Sequence, residues 1–600
     1  MKKFLNYYQD TLLSLRESGG AFAKAHPDVA SRLDIKNGKS VDPHTERIIE
    51  SVAFMAAKLN QKIDDNAHSM AFHLLSALYP NLVSIFPPCS VAQFSMDKGI
   101  SVSSNIILKK GTNLFCKSRS GEDCLFRTIY PLNIYPISIS EANLTKISRK
   151  IGGADGWCMK IGIRTNSIPI EEMRISDLLF HINSEIAEDA LLIYESIFSG
   201  SQRSAFLQIN ETNIKVNNKN FVQCGFRDED SVCPVPKYSN NSFQLFQEML
   251  HFKRKFMFFK LLKLHELILE SGITNITEMS LLIDINYSDS RLNQIVNNNS
   301  ILINAVPIVN LFPVTSDPFR FDGTKSKYLL LADQTRDSSI EIHSITELHM
   351  IDSETKEDRI IPPYFALPTD SSSNNLYDTY WVCTKESSEI RNLDGFDFYV
   401  SLIDTKMNPY SVYANVIYAK LLCTNRTEIT NVPVFANLYV DGVETAGYSA
   451  KLIQKPTDSI SFAENTTFLW NLVSQLSSTH ISISRAENLL LGIKGLINIF
   501  GAGFQVKVDE LTRNIETLKV NEIVRRFGCD AWRGFVRGME VTVYVNEEDT
   551  FFSHFFCTVL NQYLSTYVSL NSFIELKLVS QSSNKVITRW LPTSGRKELI

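Results

Sequence analysis

Apolar positions at helical spacing open the chain. Phe4, Tyr8, Leu12 and Leu15 recur on one face, and Gly19-Gly20 then predicts a stop. A second helix is predicted from Asp42, which can cap, and Pro43, which fits the first helical position. Ile48, Val52, Met55, Leu59 and Ile63 line one side of it, with Glu50, Lys58 and Gln61 on the other. After Asp64-Asp65, the run Met70, Leu74, Leu75 and Leu78 predicts a further helix that ends before Pro80. From Val91 to about 170 the pattern shifts to short β-rich runs such as Ile106-Ile107-Leu108, interrupted by helical stretches near 186–199 and 243–250. Between Phe252 and Leu269 a buried strand through Phe256-Met257-Phe258-Phe259 and a helix from Leu261 are both open. A second β-rich stretch runs from Val306 to about 453, with a loop at Ser371-Ser372-Ser373-Asn374-Asn375.

The clearest pattern is C-terminal. Met539, Val541, Val543 and Val545 alternate as a half-buried strand, and Glu547-Glu548-Asp549 lies in a turn. Phe552, Phe556, Val559, Tyr563 and Tyr567 then repeat at helical spacing, before Ile574, Leu576 and Leu578 return to period two. That strand, helix, strand unit requires a right-handed crossover if its strands are parallel neighbours. The whole reads as a multidomain α+β chain: a helical segment at 1–88, a β-rich domain with inserted helices at 89–305, a second β-rich domain at 306–455, and a C-terminal α+β domain at 456–600.

Composition narrows the function classes. With 60 Lys+Arg against 65 Asp+Glu the net charge is -5, and 44% hydrophobic with 21% charged residues is the balance of a globular chain, without the basic excess of a nucleic-acid or anionic-lipid binder. The N-terminus lacks a signal-peptide pattern, and the richest apolar stretch, Leu489 to Phe504, is broken by Lys494 and glycines and falls short of the roughly 20 residues that span a bilayer. A cytoplasmic location is the expectation. The cysteines lack paired spacing, which argues against a disulfide framework or zinc knuckle.

Tests for chemistry return structural readings. Phosphate-loop, zinc-helix and nucleophile-elbow motifs are absent, and Gly501-Ala502-Gly503 follows a helical run as a helix stop. Asp284-Ile285-Asn286-Tyr287-Ser288 opens like a calcium loop, but Asp289 and Ile295 occupy the positions that need glycine and glutamate, so a polar turn is predicted. His68 and His73, and His343 and His349, lack a third ligand. Lys253-Arg254-Lys255 between Phe252 and Phe256 is the best nucleic-acid candidate, against a solvated charged patch. The aromatic stripe of the last helix is either core or a partner-facing surface.

Several blocks resemble, in order, those of the TssF (VasA/ImpG) family of bacterial type VI secretion systems. They are Tyr7-Tyr8 with Leu15-Arg16-Glu17-Ser18-Gly19 and Phe22-Ala23, then Asp42-Pro43-His44-Thr45-Glu46-Arg47 and Phe256-Met257-Phe258-Phe259. Val306 to Pro313, Leu422-Cys423-Thr424-Asn425-Arg426, Arg537-Gly538-Met539-Glu540-Val541, Ser569 to Phe573 and Trp590-Leu591-Pro592 follow. Thr427-Glu428-Ile429 replaces the Asp-Leu-Pro often found after the Asn-Arg block. The resemblance implies the fold of a contractile-phage baseplate wedge subunit and a non-enzymatic role without cofactors or metals. It further implies partnership with TssG, a second TssF copy, TssK, TssE and the VgrG hub, beneath the tail sheath and tube, with the baseplate docked at the inner membrane through other subunits. Candidate partner-interface residues are Asp42, Glu46 and Arg47, together with Phe552, Phe556, Tyr563 and Tyr567. Two other readings are open at this point: a β-rich carbohydrate-active enzyme, which needs paired carboxylates in a cleft, and a nucleic-acid-binding protein, whose affinity would fall steeply with salt.

Overall fold

A computed structural model describes residues 2–28, 35–36, 39–40, 42–96, 106–147, 156–165, 168–199, 204–210, 212–234, 243–286, 289–351, 356–364, 379–388, 395–404, 415–441, 448–461, 466, 468–474, 486–501, 515–526, 535–545, 553–565, 568 and 572–594. The chain divides into two units, Met1–Leu78 with Phe462–Ser474, and Tyr79–Ser461 with Gln475–Ile600.

The first unit is built on α1 (Lys2–Ala25) and α2 (Pro43–Leu78). Helix α1 runs through Gly19-Gly20 instead of stopping there. Glycine costs only about 1 kcal/mol in a helix interior, and Ala21, Phe22, Ala23 and Lys24 resume favourable helix beyond it. The two helices expected on either side of Asp64-Asp65 are one, α2. Asp64 is not a break because Tyr7 Oη of α1 donates to its carboxylate at 2.6 Å. Helix α2 ends at Leu78, as Pro80 requires. Within the same unit, His68 lies 3.2 Å from Thr466, and Leu469 and Leu472 are buried.

The second unit centres on a closed six-stranded barrel: β1 (Cys89–Met96), β2 (Asn113–Lys117), β3 (Asp123–Thr128), β4 (Ala305–Val309), β5 (Asn437–Val440) and β6 (Tyr448–Leu452), in the order β4-β1-β6-β5-β2-β3. Its core includes Val91, Phe94, Leu114, Phe126, Ile308, Val440 and Leu452. The barrel therefore joins stretches that the sequence reading separates at 305/306, and that boundary falls inside β4. The split fails because one strand segment completes a barrel begun about two hundred positions earlier, a pairing with no local signature. Further antiparallel sheets flank it: one gathers 137–147, 156–165, 205–209, 212–216 and 278–285, and another gathers 177–182, 221–223, 258–262 and 301–303. Phe258–Leu262 is a strand and α5 (Leu264–Ser271) a helix, so this stretch holds both a strand and a helix with shifted bounds: Phe256 ends a 3-10 turn and Leu261 belongs to the strand; α3 (Ala187–Phe198) and α4 (Gln244–His251) are the two predicted inserted helices.

A second β core, with Leu348, Ile417, Ala419 and Cys423, adjoins the barrel through two buried asparagines. Asn310 Nδ2 donates to Asn425 Oδ1 at 2.7 Å and to Leu125 O at 2.6 Å, while Asn425 N donates to Asn310 Oδ1 at 2.8 Å. Leu125 N donates to Asn425 Oδ1 at 3.0 Å, and Asn425 Nδ2 to Asp123 O at 3.1 Å. One strand of the barrel is thereby pinned to the start of one neighbouring strand and the end of another.

The C-terminal part carries α6 (Ala486–Gly501), then β7 (Ile515–Arg526), β8 (Phe535–Val545), α7 (Ser553–Ser565), β9 (Phe573–Ser580) and β10 (Val586–Arg589). Helix α6 is described as far as Gly501, and the rest of the helix stop expected at Gly501-Ala502-Gly503 lies outside the described residues. Strands β8 and β9 are parallel neighbours, Val541 opposite Leu576 and Val543 opposite Leu578, connected through α7 as the alternating pattern predicts.

Candidate partner interface

Asp42 sits at the start of α2 and accepts from His44 N at 3.1 Å and Thr45 Oγ1 at 2.9 Å. These hydrogen bonds, the one from His44 N first, hold its carboxyl below the usual carboxylate range. Glu46 is ion-paired with Arg16 of α1 at 2.5 Å. Asp42 and Glu46 thus serve the hairpin itself, as cap and clasp. Arg47 is exposed beside them.

The aromatic stripe of α7 divides differently. Phe556 and Tyr563 are each 2% exposed, Phe556 against Phe246 at 6.3 Å between ring centroids and Tyr563 against Phe246 at 4.8 Å and Phe243 at 5.7 Å. Glu195 of α3 accepts from Phe555 N at 2.7 Å, placing a carboxylate at the positive end of α7. The partner-facing reading of Phe556 and Tyr563 is therefore corrected: α4 and β9 sandwich α7, so its stripe is spent within the chain. Phe552 and Tyr567 lie outside the described residues.

The surface that sequence reasoning missed is on α2. Ile48, Val52, Met55, Leu59, Ile63, Met70, Leu74 and Leu78 are between 45% and 67% exposed. At 3.6 residues per turn the row from Ile48 to Met70 stays on one side of the helix, and the stripe spans roughly 45 Å. Buried Ala53, Ala57, Ala71 and Leu75 fall on the opposite side, with Glu46 and Asp64, the residues that meet α1. Helix α2 has two apolar faces, a narrow one of small residues that is covered and a wide one of large residues that is open. The alanine row was the available signal, because a helix with two apolar faces needs two neighbours.

The other candidates resolve locally. Lys255 is fully buried and ion-paired with Glu248, whose other oxygen accepts from Val232 N at 2.8 Å and Ser231 Oγ at 3.1 Å. Arg254 donates to Glu185 O at 3.0 Å. The basic run therefore does not present its charges together to a phosphate backbone. The polar turn expected over 284–288 is corrected in part: Asp284 and Ile285 end a strand, Glu278–Ile285, paired with Cys158 and Trp157, while Tyr287 and Ser288 lie outside the described residues. Asp289 accepts from Arg291 N and Arg291 Nε, both at 2.8 Å. His349 lies 3.1 Å from both Glu347 and Asp358 on opposite sides of its ring. Among the described residues, no group of three or more His, Cys, Asp and Glu side chains could hold a metal ion. The described cysteines are free thiols, all buried but the half-buried Cys383. No described helix is long and apolar enough to cross a membrane.

Comparison with known proteins agrees over the full length. The family model "Type VI secretion system, TssF" matches residues 1–597. Type VI secretion system component TssF1 of Pseudomonas aeruginosa is 23% identical, covering 99% of each chain. Among solved structures, a chain of the type VI secretion system TssK-TssF-TssG baseplate subcomplex, determined by cryo-electron microscopy, superposes with a TM-score of 0.72 at 19% identity, over 92% of this chain and 99% of that one. A chain of the baseplate complex from the type VI secretion system gives 0.59 at 19% identity, with all of both chains covered. With nearly every residue matched by one family model and the same fold in both solved relatives, the chain belongs to the TssF family of the type VI secretion system.

Proposed function

We propose that this chain is a structural subunit of a type VI secretion baseplate, holding partner subunits in fixed geometry and catalysing no reaction. The open stripe on α2 carries the reading. Covering such side chains yields about 1.5–3 kcal/mol each, against an association cost of about 4–15 kcal/mol, so a stripe of this length suffices to hold partner helices. The solved relative comes from an assembly of TssK, TssF and TssG, and subunits of those first and last families are the proposed immediate partners. A second copy of this chain, TssE and the VgrG hub complete the proposed wedge, beneath the sheath and tube, with other subunits tying it to the inner membrane. Co-expression with the cognate TssG and TssK chains, followed by affinity purification and sizing, tests this. A stable complex is expected; a chain that elutes alone across solubilising conditions would refute the proposal.

A further inference from the structure

Sheet edges are templates for further pairing, and natural chains cover, shorten or bulge them. The C-terminal sheet runs β7-β8-β9-β10, so β7 is an edge. At twelve residues it is long, and among the described residues no strand pairs with its outer side. Its one irregularity lies between Ile515 and Thr517; from Thr517 to Arg526 the ladder to β8 is regular. The apolar residues here are also left open: Val524 on β7 is 58% exposed, Phe535 on β8 81%, and Leu491 on α6, the helix packed against β7, 68%.

From these features we infer that β7 pairs antiparallel with β7 of a second copy of this chain, about a twofold axis through Asn521, fusing two C-terminal sheets into one. The inference rests on the baseplate reading above and gives the second copy a surface. The strand's own sequence selects this occupant and register. A twofold axis perpendicular to the sheet puts each residue opposite one on the same face. Centred on Asn521, it places Leu518 opposite Val524 twice, Lys519 opposite Ile523 and Val520 opposite Glu522, with no like charges opposed. The exposed Val524 then continues the apolar layer in which Leu518 is already buried. Neighbouring registers are worse. Centring on Lys519 or Glu522 opposes identical charges, which destabilises a strand pair, and centring on Val520 sets Leu518 against Glu522. The regular ladder also matches, because Thr517 to Arg525 is symmetric about Asn521.

Cysteine cross-linking reads the register. Opposite residues in an antiparallel pair have Cβ atoms about 4.5–5.5 Å apart, close to the range a disulfide bridges. A residue two positions off the axis stands about 13 Å from its own copy, at about 3.3 Å per residue. Full-length Asn521→Cys chain, purified with its TssG and TssK partners and mildly oxidised, should give at least tenfold more covalent homodimer than Lys519→Cys or the unsubstituted chain. Val524→Lys, at an exposed position, should weaken self-association about tenfold by sedimentation while thermal unfolding stays unchanged. Equal cross-linking at 519 and 521, cross-linking of 521 to a partner chain instead, or self-association indifferent to Val524→Lys would each overturn the pairing. The same preparations separate the two readings: a retained complex without the 521 cross-link removes only the edge pairing, whereas a 521 cross-link in a chain that binds no partner removes the baseplate role.

Discussion

At the scale of single residues, buried polar groups fix how the sheets meet. Asn425 answers four hydrogen-bonding groups, among them Leu125 N and Asn310 Nδ2. Asn425→Ala keeps the backbone N–H bond to Asn310 Oδ1 and leaves Asn310 Nδ2 its bond to Leu125 O, but strips Leu125 N and Asp123 O of the Asn425 side chain. At about 1–3 kcal/mol for each unpaired buried group, urea denaturation should show a loss of about 2–4 kcal/mol. Lys255→Met strands the buried Glu248 carboxylate, and breaking such a pair costs about 3–5 kcal/mol; a fall of that order in the same assay is expected. Burial also holds His181, His251 and His343 at about 3, neutral in the folded chain. Unfolded, they take up protons below about 6.5. Their folded values are depressed, so acid favours the unfolded state and stability falls as pH drops from about 6.5 toward 3. Asp322 and Asp333, pulled to about 2 chiefly by hydrogen bonds from Tyr328 and Thr335, lose their contribution only below the ordinary value of 3.8. Urea midpoints should therefore already decline between pH 7 and pH 5, and His343→Gln should flatten part of that slope. These buried partners were not legible beforehand: Asn310 and Asn425 lay in recognisable blocks and Lys255 in the basic run, but nothing local says that an asparagine of one block reaches another more than a hundred positions away.

Elements were legible where one period dominates. Strand β8, helix α7 and strand β9 followed from alternation, helical spacing and alternation again, and their parallel pairing satisfies the predicted unit. Gly538 is required there: an added Cβ would meet the Phe573 ring and its carbonyl oxygen at 2.5 Å, where β8 and β9 begin to pair. Gly538→Ala should thus cost about 1–3 kcal/mol through overpacking, seen as a lower unfolding midpoint. The barrel was not legible, because β1, β4 and β6 are brought together from positions 89–96, 305–309 and 448–452, and strand alternation carries no information about a partner. Periodicity likewise could not tell covered from open. The stripes of α2 and α7 look alike in sequence, yet α7 is enclosed by α4 and β9 while the wide face of α2 is exposed.

For the whole molecule, that contrast separates an open apolar face, the surface proposed for partners, from the core. The second unit closes its own barrel, whereas the α1–α2 hairpin buries small residues and leaves large ones outside. The decisive measurement is the dissociation constant between the full-length chain and its cognate TssG-family subunit, compared for the native sequence and for Met55→Glu with Leu59→Glu. Both positions are exposed, so the unfolding midpoint should stay within about 0.5 kcal/mol of the native chain. Loss of the covered side chains, at about 1.5–3 kcal/mol each, should weaken binding by at least about a hundredfold. Unchanged affinity in a folded variant would show that the stripe holds no partner.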